Sequence, residues 1–218
     1  PDERRVASAQ SLMGKVFADA AQRGMGVVFA VDVDTPTANP QELVTLLPES
    51  ARFEVKGKAY ANVNKVGASL WLPNPDTPEG YAFFRAEVEG LLKAYPQITC
   101  LVPWFRDGRT PWLEMKESEM PPLWQAEYRA ELAKSPEVAK FWHAPQVVAL
   151  SRIIRAFDRA LKELGRHRVQ LAAGTWRFGF IPPCDRFFPP DVKLIGLDYE
   201  VLRGRPQLDN PESRKVLR

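Results

Sequence analysis

Acidic side chains occur in pairs at the ends of apolar runs in this sequence. Asp32 and Asp34 close one such run, and Asp198 and Glu200 close another. Side chains two residues apart on a strand point to the same side, so each pair offers two carboxylates to one cavity. Like charges held close together raise the pKa of one group, which provides an acid and a base at neutral pH. The pattern predicts acid–base chemistry at strand ends.

Residues 97–119, QITCLVPWFRDGRTPWLEMKESE, concentrate further chemically capable side chains. An apolar run breaks at Pro103 and opens into two tryptophans, two arginines, an aspartate and three glutamates. In alternating α/β folds, ligands bind in the loop after a buried parallel strand. Aromatic rings stack on sugar C–H faces, and charged groups bond to the hydroxyls. We therefore expect a carbohydrate site here; the alternative is a solvated loop anchored by structural tryptophans.

Glycoside hydrolysis needs two carboxyl groups beside the scissile bond, about 5–5.5 Å apart for retention and about 6.5–9.5 Å for inversion. Guanidinium groups bind a carboxylate such as that of a uronic or sialic acid. For each acidic side chain of the protein, the alternative role is that of a helix cap or a surface charge. The predicted catalytic residues are Asp107, Glu114, Glu117, Asp198 and Glu200. The predicted substrate-binding residues are Asp32, Asp34, Asn64, Trp104, Arg106, Trp176 and Arg177, the tryptophans being sugar platforms.

The composition of the 218 residues indicates a globular protein that is most simply one domain, since 45% of them are hydrophobic. Its 30 basic and 27 acidic residues are scattered, without the basic stripe typical of nucleic-acid binding. No apolar run approaches the roughly 20 residues that span a bilayer. We expect neither nucleic acid nor membrane as a partner. The N-terminus has no signal-like core, but the chain begins at Pro1, which leaves a removed leader and a secreted or periplasmic location open.

Cofactor motifs are sparse in this sequence. With only His143 and His167, a metal site built on imidazole is not expected, and Cys100 and Cys184 lack CxxC spacing. No glycine-rich phosphate loop opens a predicted helix. We predict no cofactor. The alternative is a carboxylate-metal enzyme, of isomerase or aldolase type, in which the two carboxylate pairs hold Mg²⁺ or Mn²⁺.

Alternating helices and strands must position these residues. Hydrophobic spacing predicts helices at 3–23, 39–47, 78–95, 123–133 and 145–164, and strands at 26–32, 59–64, 68–72, 98–102, 169–173 and 191–199. This alternation indicates a parallel sheet with right-handed crossovers. We predict an α/β fold of the (β/α) TIM-barrel type, partial because about five to six strands do not close a barrel. The alternative is an open sheet.

A partial barrel would leave strand edges and apolar helix faces uncovered. We therefore expect either a section of a larger chain or a homo-oligomer that completes its core with another copy.

The succession LWLPNPDTPEGYAFF, YPQITCLVPWFRDG, AAGTWRFGF and FFPPDVKLIGLDYE covers about residues 68–200. It resembles the middle of glycoside hydrolase barrels related to α-glucuronidases and β-N-acetylhexosaminidases. In those families an NP-containing strand end leads into a helix, a YP turn precedes the catalytic strand, and a later strand ends in Trp. The resemblance implies cleavage of glycosidic bonds in oligo- or polysaccharides by a carboxylate acid/base pair.

This sequence departs from the hexosaminidase pattern at the end of the catalytic strand. That pattern has an adjacent Asp and Glu, where this chain reads WFRD. The resemblance therefore does not extend to the substrate-assisted N-acetyl mechanism. A further alternative is a non-catalytic carbohydrate-binding or assembly module that keeps the aromatic residues without a second carboxylate.

Overall fold

A computed structural model describes residues 2–33, 35, 38–56, 69–105, 115–136, 139, 144–175 and 187–196. The helices are α1 (Glu3–Gln22), α2 (Gln41–Val44), α3 (Pro78–Ala94), α4 (Pro122–Lys134) and α5 (Ala144–Glu163). The strands are β1 (Val27–Asp32), β2 (Arg52–Lys56), β3 (Ser69–Pro73), β4 (Ile98–Phe105), β5 (Gln170–Thr175) and β6 (Lys193–Gly196). Short 3₁₀ turns lie at Glu49–Ala51 and Glu117–Glu119.

Four strands form one parallel sheet in the order β1-β4-β5-β6, and β2 pairs antiparallel with β3 in a separate sheet. The predicted (β/α) barrel, whole or partial, is wrong: within the described residues the fold is mixed α/β with an open sheet. The physical reason is that the chain between β1 and β4 pairs with itself, so β2 and β3 add nothing to the parallel sheet. Four twisted strands do not close into a barrel.

Most predicted elements are confirmed, with shifts at their ends. The strand predicted at 59–64 lies outside the described residues, and β2 is a strand that the sequence analysis did not predict. Among the described helices, none has the length and apolar character that a membrane crossing needs.

Strand β4 continues through Pro103, where the sequence analysis predicts an end. Pro103 pairs with Val31 of β1. On the other side, the ladder with β5 pairs Leu101 with Leu171 and resumes only at Trp104, which pairs with Gly174. A proline is tolerated in a strand where its missing N–H is not needed by the ladder. The extra length brings Trp104 to the carboxyl edge of the sheet.

The two faces of the parallel sheet differ in what covers them. Leu101 and Phe105 of β4 join the main core, to which α3 and α5 contribute most of the helical side chains. Helix α1 packs there through Phe17, whose ring meets Phe29 edge-to-face at 6.1 Å. Alternate residues point to the other side. They form a smaller cluster, here called the Trp104 face and defined by Cys100, Val102, Trp104, Ala172 and Ile195.

Helix α3 begins at a threonine cap. Thr77 is the N-cap, and its hydroxyl oxygen accepts a hydrogen bond from the Gly80 amide at 3.1 Å. A Cβ on Gly80 would lie 1.9 Å from the Asn74 carbonyl oxygen, so only glycine fits this tight entry. The helix then buries Tyr81 and Phe84 in the core, as its periodicity predicts.

Glu87 is a half-buried acid in the middle of α3. Burial raises the pKa of its carboxyl from 4.5 to about 7. Between pH 4.5 and about pH 7, the Glu87 carboxyl is ionised in the unfolded chain and protonated in the folded protein. The free energy of unfolding therefore falls as pH rises through this range. We expect Glu87→Gln to be about 1–2 kcal/mol more stable than the wild-type protein at pH 8 and equal to it at pH 4.

Urea denaturation at a series of pH values measures this effect. The matched control is Glu89→Gln, since Glu89 is an exposed acid of the same helix that pairs with Arg85 at 3.0 Å. This control should gain nothing at pH 8. If the free energy of unfolding changes with pH in the same way for Glu87→Gln and the wild-type protein, burial does not raise the pKa of Glu87.

Candidate functional site

A row of four residues crosses the parallel sheet near its carboxyl edge. Asp32 of β1 pairs with Trp104 of β4, Trp104 pairs with Gly174 of β5, and Gly174 pairs with Ile195 of β6. Register partners in a parallel sheet direct their side chains to the same face, so the row belongs to the Trp104 face. A carboxylate and an indole ring are thus neighbours at the edge where open α/β sheets bind ligands.

The indole ring of Trp104 lies over Gly174. A Cβ at position 174 would be 2.1 Å from Cε3 and 2.4 Å from Cζ3 of that ring. It would also lie 3.0 Å from Cγ1 of Val102. Trp104 is 8% exposed, so the ring forms part of the floor of this face rather than a projecting platform. Gly174 is not among the predicted site residues, although a glycine inside a strand signals such a close approach.

Asp32, Trp104 and Glu117 are the predicted site residues that the structure describes. Asp32 is half-buried at the end of β1, and the Val33 amide extends the pairing by donating to the Trp104 carbonyl oxygen at 3.2 Å. The other predicted site residues lie outside the described residues: Asp34, Asn64, Arg106, Asp107, Glu114, Trp176, Arg177, Asp198 and Glu200.

The strands that precede most of those residues end side by side. Phe105 at the end of β4 pairs with Thr175 at the end of β5, and Thr175 pairs with Gly196 at the end of β6. The chain therefore enters segments 106–114, 176–186 and 197–200 from adjacent points on one edge of the sheet. These segments contain most of the predicted catalytic residues and both predicted guanidinium groups.

Glu117 lies in a different environment from the row of residues that contains Asp32 and Trp104. It begins the 3₁₀ turn Glu117–Glu119, which contacts β2. Its carboxylate accepts a hydrogen bond from Nε of Arg129 on α4 at 2.6 Å. The described contacts place Glu117 with β2 and α4, whereas Asp32 and Trp104 lie together on the parallel sheet.

Asp76 belongs to a charged cluster beside the core. Its carboxylate accepts a hydrogen bond from the Trp124 indole N–H and lies 3.4 Å from the Arg152 guanidinium. Arg152 also pairs with Glu127, which Arg155 contacts at 3.1 Å. We call these residues the Arg152 cluster: Asp76, Trp124, Glu127, Arg152 and Arg155. They connect the turn before α3 with α4 and α5, and Trp124 is fully buried.

Cys100 lies on the Trp104 face, at the opposite end of β4 from the row. Burial raises the pKa of its thiol, so it stays protonated at neutral pH and is a poor nucleophile. Cys184 lies outside the described residues. Within the described part of the chain, no group of three or more His, Cys, Asp or Glu side chains is arranged to hold a metal ion.

No family model, curated protein or solved structure matches this chain. The resemblance to glycoside hydrolases therefore stays a prediction from the motifs.

Proposed function

We propose that this protein is a glycoside hydrolase whose site lies at the carboxyl edge of the parallel sheet, on the Trp104 face. The observation that carries the proposal is the register pairing of Asp32 with Trp104 in one row. The Trp104 ring makes the floor of this face apolar, which suits sugar C–H groups, and a carboxylate accepts hydrogen bonds from neighbouring hydroxyls. The two groups together suit a polyhydroxylated ligand.

The catalytic carboxylates would come from segments that leave adjacent strand ends. In the proposed reaction, a carboxylic acid donates its proton to the glycosidic oxygen as the bond to the anomeric carbon breaks. The second carboxylate either attacks that carbon or takes a proton from the incoming water. We assign the acid to Asp107 or Glu114 and its partner to Asp198 or Glu200. Glu117 is less suitable because Arg129 holds its carboxylate beside β2.

An acidic oligosaccharide fits the proposed site best. Arg106 follows β4 directly in the chain, and Arg177 follows β5 after one residue. The ends of these two strands are register partners. In the proposed site both guanidinium groups would act from this edge. Bidentate pairing with a uronic acid carboxylate would select such a substrate over a neutral sugar.

Turnover of chromogenic glycosides of uronic acids and N-acetylhexosamines tests the proposal. We expect Asp198→Asn to lower turnover by about 10²–10⁴-fold while binding of oligosaccharide is retained. The matched control is Asp191→Asn, since this exposed aspartate precedes β6 at its opposite end. It should leave turnover unchanged.

The outcomes separate the rival functions. Oligosaccharide binding without turnover by the wild-type chain would identify a carbohydrate-binding module. Turnover abolished by a chelator and restored by Mg²⁺ would favour a carboxylate-metal enzyme. A wild-type chain that neither binds nor cleaves any of these sugars would contradict the proposal.

A further inference from the structure

The chain that follows β1 is held by the side chain of Asn39. This residue is buried, with 1% of its surface exposed. Its side-chain nitrogen donates hydrogen bonds to the carbonyl oxygens of Val33, at 3.2 Å, and Thr35, at 3.0 Å. The Asn39 backbone amide also donates to the Thr35 carbonyl oxygen, at 3.1 Å. These bonds fix the chain directly after Asp32, the carboxylate of the row.

Gln41 connects this part of the chain with the two-stranded sheet. Its side-chain nitrogen donates to the carbonyl oxygens of Asn39 and Trp71, each at 2.9 Å. Its side-chain oxygen accepts a hydrogen bond from the Trp71 amide, also at 2.9 Å. One side-chain amide therefore pairs with both backbone groups of Trp71 in β3, as a neighbouring strand would, and joins β3 to the chain after β1.

A continuous series of hydrogen bonds thus runs from the candidate site to β3. The Val33 amide donates to the Trp104 carbonyl oxygen, and the Val33 carbonyl oxygen accepts from Asn39. Asn39 in turn accepts from Gln41, which pairs with Trp71. We call this series the Gln41 link, defined by Val33, Asn39, Gln41 and Trp71. Among the described strands, none of the two-stranded sheet pairs with the parallel sheet, so the link gives the two sheets a polar connection.

We propose that Asn39 and Gln41 are positioning residues, which hold the Asp32 end of β1 in place beside Trp104 by tying it to β3. The inference rests on the proposed function, in which Asp32 binds substrate hydroxyls. A binding carboxylate is effective only where the groups behind it fix its position, and hydrogen bonds from residues that do not touch the ligand supply this support. A side-chain amide suits the task because it carries both a donor and an acceptor.

Gln41→Glu tests the proposal through its pH dependence. At about pH 7.5 the introduced carboxylate is ionised, so it has no proton to donate to the carbonyl oxygens of Asn39 and Trp71. At about pH 4 those oxygens favour the protonated carboxyl, which donates again. Amide hydrogen exchange followed by NMR measures the link. Relative to the wild-type protein at the same pH, protection of the Val33 and Trp71 amides should fall about tenfold at about pH 7.5 and recover at about pH 4.

Substrate affinity provides the readout that is specific to positioning. With chromogenic glycosides of uronic acids, Gln41→Glu should raise KM about tenfold at about pH 7.5 and change kcat by less than about twofold. KM should return to the wild-type value at about pH 4. Asn39→Asp should raise KM at about pH 7.5 for the same reason, because an oxygen replaces the nitrogen that donates to Val33 and Thr35.

The matched control is Gln10→Glu, since Gln10 is an exposed residue of α1. It makes the same chemical change away from the link and should keep wild-type protection and wild-type KM at both pH values. Circular dichroism should find all three variants folded.

The two readouts distinguish failure of this inference from failure of the proposed function. Wild-type protection of the Val33 amide in Gln41→Glu at about pH 7.5 overturns the inference. So does lost protection with unchanged KM, because the link would then support the fold without positioning the site. Failure of the proposed function would appear in the wild-type protein itself, which would neither bind nor cleave these sugars, and the inference would fall with it.

Discussion

Gly174→Ala is expected to lower the free energy of unfolding by about 2–3 kcal/mol and to remove the carbohydrate binding proposed above. The added methyl group would lie 2.1 Å from the Trp104 ring, which is closer than two carbon atoms can approach. The indole therefore has to leave the row beside Asp32, or β4 and β5 have to separate. Overpacking of this kind costs about 1–3 kcal/mol in general, and the rigid ring puts this site at the upper end.

A double-mutant cycle separates this steric effect from any general effect on β5. Trp104→Ala alone should cost about 3–5 kcal/mol, because it leaves a cavity in the small cluster of this face. With the ring absent, the methyl group at position 174 has room. The double variant should thus lose about 1–3 kcal/mol less than the sum of the two single variants.

The matched control for Gly174→Ala is Gly90→Ala in α3. A Cβ at position 90 would have no atom within 4 Å, and alanine is the better helix former. We expect this variant to be as stable as the wild-type protein, or more stable by up to about 1 kcal/mol. Urea denaturation measures all four variants. Strict additivity in the cycle would contradict the contact between Trp104 and Gly174.

Local sequence signals were sufficient for the helices and for the ends of several strands. Thr77 and Pro78 mark the start of α3, and the apolar stripe through Phe84 and Val88 selects its buried face. These features depend on residues within one or two turns of each other. They are therefore readable without knowing the tertiary fold.

The arrangement of the sheet depends on contacts between distant residues. Whether β2 and β3 join the parallel sheet or pair with each other depends on partners across the fold, and the barrel prediction was wrong for that reason. The continuation of β4 through Pro103 likewise depends on where its neighbours need a donor. A proline within a run reads locally as a break.

For the candidate site too, some features could be predicted from the local sequence, and others depend on contacts between distant residues. The position of Asp32 at a strand end was readable from its apolar run, whereas its pairing with Trp104 requires the register of β1 against β4. Asp76 reads locally as a helix cap. It instead accepts a hydrogen bond from Trp124, which lies 48 positions further along the chain.

Arg152→Ala is expected to lower the free energy of unfolding by about 3–5 kcal/mol, because it removes the cation that two partly buried carboxylates share. The Arg152 side chain is 12% exposed, and those of Asp76 and Glu127 are 28% and 23% exposed. Without the guanidinium, both acids would stay in a poorly solvated site without their main cation. Arg155 would compensate only in part, since it contacts Glu127 and the Phe187 carbonyl oxygen.

Arg129→Ala provides the matched control, because Arg129 is 66% exposed and pairs with Glu117 near the surface. Exposed pairs contribute about 0–1 kcal/mol, and salt screens them. Urea denaturation at low salt and at about 1 M salt measures both variants. The high salt should abolish the small effect of Arg129→Ala and leave the large effect of Arg152→Ala in place. If the two variants lose similar stability and respond alike to salt, the Arg152 cluster is a surface feature and does not hold α4 and α5 to the turn before α3.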